Sequence, residues 1–209
     1  MKILHLDSSF AADASASRQL SRLVVAGLTQ ASPAADVRYR DLVDDAVPHL
    51  DGAIAAGFRA VPGATAPDDA TAAEHARSEQ LVAEFLDSEV IVIGVPMYNF
   101  SVPSQLKAWL DRIAQPGRTF RYTADGPVGL AGGRRVIVAS TRGGMYSVGA
   151  ASGMDFQESY LKVFFGFLGI TDVQFVRAER LSKGAEMREQ SIAEATTRVP
   201  AVVAHALAA

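Results

Sequence analysis

At 209 residues the chain has the length of one compact domain with a sizeable core, and the reading is a single domain over 1–209. Charged residues make up 21% and the formal net charge is -3 with no long run of one sign, which excludes a basic nucleic-acid-binding face. There is no cysteine, so disulfides, thiolate metal sites, iron–sulfur clusters and cysteine nucleophiles are excluded together, and any redox chemistry must come from a bound cofactor.

In chain order, the start MKILHLD has too few apolar residues before Asp7 to read as a signal peptide. No apolar run approaches the roughly 18 residues that span a bilayer, so the expectation is a soluble, cytoplasmic protein with no membrane partner. A short apolar run over 3–6 predicts a buried first strand ending in Asp7, Ser8 and Ser9. Leu20, Leu23, Val24 and Leu28 recur at helical spacing and predict a helix over 17–30. VRYRDL over 37–42 alternates as an edge strand does. The stretch 43–67 has no clear periodicity and is a long excursion with a short helix near 51–58. Helical periodicity returns over 71–86. VIVIGV over 90–95 is continuous, β-branched and apolar, as a strand covered on both faces should be. Pro96 stops it, a loop follows over 97–102, and Pro103 opens a helix that runs to about 114. RVIVAS over 135–140 is a fourth strand, 141–153 is a Gly- and Ser-rich loop, and 156–168 a helix. A fifth strand is expected over 173–177, and a last helix over 185–207, bent near Pro200. Strands alternating with helices imply βαβ units, hence an α/β three-layer sandwich on a five-stranded parallel sheet.

In such sheets ligands bind beyond the carboxyl ends of the strands, and three loops occupy those positions. The first, DSSFAADASASRQ, supplies Ser8, Ser9, Ser15 and Ser17 at the start of a helix. A helix N-terminus offers free N–H groups and a positive dipole end, which suits a terminal phosphate. Any one of these serines serves equally well as a helix cap. G-x-G-x-x-G, Walker A and G-x-S-x-G patterns are all absent. In the second loop, PMYNF, Met97, Tyr98 and Phe100 are walls for a flat aromatic ligand, and Asn99 tolerates unusual backbone angles. In the third, Gly143 and Gly144 allow the backbone to approach a ligand closely; the plainer reading is a flexible surface loop. The four histidines show no metal-ligand spacing, and no metal is assigned.

With these loops in view, the chain resembles the FMN-dependent NADH-azoreductase family within the flavodoxin-like quinone reductases. The resemblance covers nearly the whole chain. It rests on the serine-rich first loop, PMYNFSVPSQLKAWLD (96–111), TFRYTADGPVGL (119–130), TRGG (141–144) and YLKVFFGFLGITDV (160–173). It implies a flavodoxin-like fold with bound FMN. The phosphate meets Ser9, Ser15, Ala16 and Ser17, and the ring meets Met97, Tyr98, Asn99 and Phe100, with the Asn99 backbone near N5. The pyrimidine side meets Thr141, Arg142, Gly143 and Gly144. Phe120, and Phe164 from a partner subunit, line the acceptor pocket of a homodimer. The resemblance further implies that NADH is the donor and quinones or aromatic azo compounds the acceptors, in a ping-pong cycle with no protein acid or base, because flavin N5 carries the hydride. Arg142 either balances charge on the reduced ring or is a solvated arginine. The competing function is a flavodoxin-type electron carrier with no NADH-dependent activity of its own.

Overall fold

The computed structural model describes residues 1–208. Five parallel strands form the central sheet: β1 (Lys2–Asp7), β2 (Asp36–Asp41), β3 (Val90–Pro96), β6 (Arg135–Thr141) and β7 (Asp172–Ala178), in the order β2-β1-β3-β6-β7. Between α4 (Ser104–Ile113) and β6 the chain makes an antiparallel hairpin, β4 (Phe120–Thr123) and β5 (Gly126–Gly129), where no strand was expected. The sheet order without the hairpin is 2-1-3-4-5, and it reverses direction between β1 and β3.

The period of two in β3 builds both cores. Val90 and Val92 face α1 (Ala16–Ala31), against Leu20, Val24 and Leu28. Ile91, Ile93 and Val95 face the opposite layer, formed by α3 (Asp69–Asp87), α4 and α5 (Phe156–Phe167), with Phe85, Trp109, Leu110 and Phe165. Every residue of β3 is buried, which explains why its sequence lacks a polar face. The excursion after β2 contains one short helix, α2 (Gly52–Ala55). The last helix is two: α6 (Ala185–Thr196) and α7 (Val199–Leu207). The break falls just before Pro200, which lacks an N–H and disfavours helical geometry in the residue ahead of it. Ile192 of α6 and Val199, Val202 and Val203 of α7 all still pack into the α1-side core, so one apolar stripe crosses the break. No helix among the described residues is long and apolar enough to cross a membrane.

Candidate functional site

Parallel pairing aligns the carboxyl ends of β1, β3 and β6, since Asp7 lies opposite Gly94 and Pro96 opposite Thr141. The three loops therefore meet at the reversal point of the sheet, and hydrogen bonds join them. The Ser9 and Tyr98 hydroxyls lie 3.2 Å apart, and the Phe10 ring stacks on Tyr98 with centroids 4.5 Å apart. The Met97 N–H donates to the Thr141 carbonyl at 2.7 Å. The Tyr146 ring meets Phe100 edge-on at 6.2 Å.

In the first loop Ser15 caps α1, its hydroxyl accepting from the Arg18 N–H at 3.3 Å and lying 3.0 Å from the Ser17 hydroxyl. The N–H groups of Ala16 and Ser17 find no acceptor among the described residues. Ser8 is bonded elsewhere: its hydroxyl donates to the Gly94 carbonyl at 2.8 Å. Sequence reading missed Arg18. Its buried guanidinium donates to the Ser9 carbonyl at 2.7 Å and to Asp41 at 2.8 Å, fixing the loop from beneath. Burial alone would raise the Asp41 carboxyl, but Arg18 and the Val43 N–H hold it below the usual carboxylate range.

The second loop is a two-residue turn. Tyr98 and Ser101 exchange N–H to carbonyl bonds at 3.0 Å each, with Asn99 at φ 48° and Phe100 at φ 70° between them. Positive φ at both central positions is a type I′ turn, which asparagine tolerates and a bulky residue resists. The geometry leaves the N–H groups of Asn99 and Phe100 without acceptors among the described residues. Strain of this kind, held by its surroundings, marks functional loops. The Phe100 carbonyl takes the Phe156 N–H at 3.1 Å, so the turn also rests on the start of α5.

In the third loop the carbonyls of Arg142, Gly143 and Gly144 accept from Leu181, Ser182 and Arg180 at 3.2, 3.1 and 2.9 Å. The N–H groups of both glycines remain without acceptors among the described residues. Arg142 is not the solvated arginine of the second sequence reading. It is 1% exposed, not solvated, its N–H donates to the Ala178 carbonyl at 3.0 Å, and its guanidinium is bonded to acids on the side of α5. The partners are Asp155 and Glu158, each at 2.7 Å, with Glu179 at 3.5 Å. A guanidinium enclosed by three carboxylates stays with them, since separating a buried pair leaves an uncompensated charge.

A cleft of about 930 Å³ opens beside the first two loops, lined by Phe10, Met97, Tyr98, Asn99, the first turn of α4 and Tyr160. Burial, and then the Asp111 carboxylate, push the Tyr160 phenol up to about 12, so it remains a hydrogen-bond donor near neutrality. The other two expected pocket residues lie outside this cleft. Phe120 is buried with its ring 4.5 Å from Phe167, and Phe164 is half-buried, 5.9 Å from Tyr160.

The observed donor set suits FMN. Two N–H groups and two hydroxyls at the start of α1 match a phosphate with no glycine-rich loop. Four more N–H groups, on Asn99, Phe100, Gly143 and Gly144, match the carbonyls and nitrogens along one edge of a flavin, beside aromatic walls.

A doubly wound sheet in the order 2-1-3-4-5, with its ligand loops at the β1/β3 reversal, is the flavodoxin-like arrangement. The chain belongs to the flavodoxin-like fold family, whose model matches residues 1–202. Within that family it is similar to FMN-dependent NADH:quinone oxidoreductases. It is 64% identical to the one from Ralstonia nicotianae over 209 residues, 100% of both chains. It is 58% identical to FMN-dependent NADH:quinone oxidoreductase 2 of Xanthomonas euvesicatoria pv. vesicatoria, over 99% of this chain and 98% of that one. Among solved structures, the FMN-dependent NADH-azoreductase of Bacillus anthracis in complex with FMN superposes with a TM-score of 0.88, at 26% identity, covering 98% of each chain.

Proposed function

We propose that this chain is a single-domain, cytoplasmic FMN-dependent NADH:quinone oxidoreductase that also reduces aromatic azo compounds. The observation that carries the reading is that three loops, at the aligned carboxyl ends of β1, β3 and β6, each leave N–H groups without acceptors among the described residues. The names of the relatives support it, since proteins 64% and 58% identical to this chain are FMN-dependent NADH:quinone oxidoreductases. When bound, FMN supplies two-electron hydride chemistry, which belongs to the cofactor. The protein's part is to hold and expose it. Ser9, Ser15, Ser17 and the Ala16 N–H hold the phosphate. Asn99 and Phe100 donate to the ring, with Met97 and Tyr98 beside it, and Gly143 and Gly144 donate to the pyrimidine side. The open cleft admits donor and acceptor in turn, hence a ping-pong order.

The active unit in this proposal is a homodimer. Phe10 is 66% exposed, Phe156 58% and Val163 72%, so α5 and the first loop carry apolar surface that a second copy would cover. In that dimer Phe164 of the partner subunit and Phe120 complete the acceptor pocket.

The test is direct. Purified protein is expected to be yellow, to release FMN and not FAD on denaturation, and to consume NADH with a soluble quinone and with an azo dye. Double-reciprocal plots at several acceptor concentrations should be parallel. Reconstituted protein without affinity for FMN ends the proposal. FMN binding without NADH consumption would make the chain an electron carrier.

A further inference from the structure

Glu179 follows directly on β7 and is nearly buried, in a place that the proposed chemistry does not use. Its Oε1 accepts the N–H groups of Tyr146 and Ser147 at 2.7 and 2.9 Å, and its Oε2 accepts the Ser147 hydroxyl. The next three residues donate to the carbonyls of Gly144, Arg142 and Gly143 in turn. The third loop is thus wrapped around one carboxylate on its far side and stitched along its carbonyls on the same flank. The other N–H groups of the loop, on Gly143, Gly144 and Met145, have no acceptor among the described residues. Any side chain at either glycine would have to displace a neighbouring one. A Cβ on Gly143 would lie 2.6 Å from the Ser182 hydroxyl, and one on Gly144 2.9 Å from the Tyr146 ring.

Arg142 stands behind this arrangement, 3.5 Å from Glu179 and 2.7 Å from both Asp155 and Glu158. Glu158 is also held by Arg177 at 2.6 Å. Three carboxylates and two guanidiniums therefore tie the end of β6, the start of α5 and the end of β7 into one block, with Arg142 and Glu158 buried and Arg177 partly exposed. The loop hangs from that block through Glu179.

We propose that Glu179, fixed by Arg142, is a positioning residue that holds the loop 143–147 in the shape that presents the Gly143 and Gly144 N–H groups to the flavin ring. The proposal rests on the FMN reading above. It assigns Glu179 no contact with the cofactor. The residue acts through the backbone it shapes, and it acts at the ring end of the site, not at the phosphate end.

The experiment compares apoprotein of the wild type, Glu179→Ala and Glu179→Gln, titrated with FMN and separately with riboflavin, read by flavin fluorescence. Two loosened hydrogen bonds of ordinary strength correspond to an affinity loss of about 10- to 30-fold. Glu179→Ala should weaken FMN and riboflavin by the same factor, because the phosphate contacts are untouched. At saturating FMN the visible circular dichroism of the bound flavin should also change, a signature that a loss of global stability alone does not produce. Glu179→Gln keeps an acceptor oxygen and should lie between the alanine variant and the wild type. It also carries the test should the alanine variant fail to fold. Unchanged affinity and dichroism in a folded variant overturn the proposal, as does a loss confined to FMN. Wild-type apoprotein that binds neither flavin overturns the FMN reading instead.

Discussion

At the scale of single residues, the site is defined as much by what is missing as by what is present. Gly94 lies opposite Asp7 in the sheet, and a Cβ there would stand 2.3 Å from the Asp7 carboxylate and 3.2 Å from the Ser17 carbonyl. That carboxylate is fully buried and is bonded by the Ser21 hydroxyl at 2.9 Å and the Tyr39 phenol at 3.2 Å. Burial, and then the charges of Asp7 and Asp41, push the Tyr39 phenol up to about 12, so it stays a donor to Asp7. One added methyl must therefore displace either a buried charge or the first turn of α1. Gly94→Ala is expected to cost about 2–3 kcal/mol, within the usual range for overpacking. In a chain of this length that is a fall of roughly 5–10 °C in Tm, measured by thermal denaturation of the apoprotein. An unchanged Tm would mean that Asp7 moves freely, contrary to its enclosure.

At the scale of elements, α1 joins the phosphate loop to the core, and Ser15 works for both. As the N-cap it satisfies the Arg18 N–H, and its alanine variant should lose about 1 kcal/mol of stability. If its hydroxyl also meets phosphate, Ser15→Ala should weaken FMN several-fold and leave riboflavin affinity nearly unchanged, a ratio that paired titrations read directly. Equal losses for both flavins would remove Ser15 from the phosphate site. Much of this level was legible in the sequence. The apolar run of β3 and the helical spacing of Leu20, Val24 and Leu28 report burial directly, so both elements stand where they were expected. The β4–β5 hairpin was not legible. Phe-Arg-Tyr-Thr and Gly-Pro-Val-Gly carry little pattern of their own, and what holds them is tertiary: Phe120 on Phe167, and Gly129 so near Gly169 that a Cβ would lie 2.1 Å from its nitrogen. The site divides in the same way. Hydroxyls, aromatics and glycines announce a ligand by composition, whereas Arg18, Asp155 and Glu179 are lone charges in the sequence. Only the register that sets Thr141 opposite Ala178 brings Glu179 beside the third loop.

At the scale of the molecule, buried charge links the edge of the sheet to the ligand loops, and acid should loosen both. Three nearly buried carboxylates each lie below their ordinary values, 3.8 for Asp41 and 4.5 for Glu84 and Glu179. In each case burial pushes the carboxyl up and partners more than offset it: Arg18 for Asp41, Arg40 and Gln80 for Glu84, and Ser147, the Tyr146 N–H and Arg142 for Glu179. His5 is depressed below 6.5 mainly by burial, with the Asp7 carboxylate opposing. All four groups therefore hold fewer protons folded than unfolded wherever they titrate, and unfolding takes protons up. Stability from these groups is complete above about pH 6.5 and falls with decreasing pH. The fall is shallow at first, as His5 of the unfolded chain protonates, and steeper below about pH 4.5, as its carboxyls follow. Urea midpoints of the apoprotein, measured from neutral pH downward, should trace this two-stage decline. The upper stage should vanish in His5→Gln, in which the glutamine amide replaces the imidazole bond to Ser21 and cannot titrate. A midpoint that rises on acidification would reverse the sign required by all four groups, and a two-stage decline unchanged in His5→Gln would place the upper titration elsewhere.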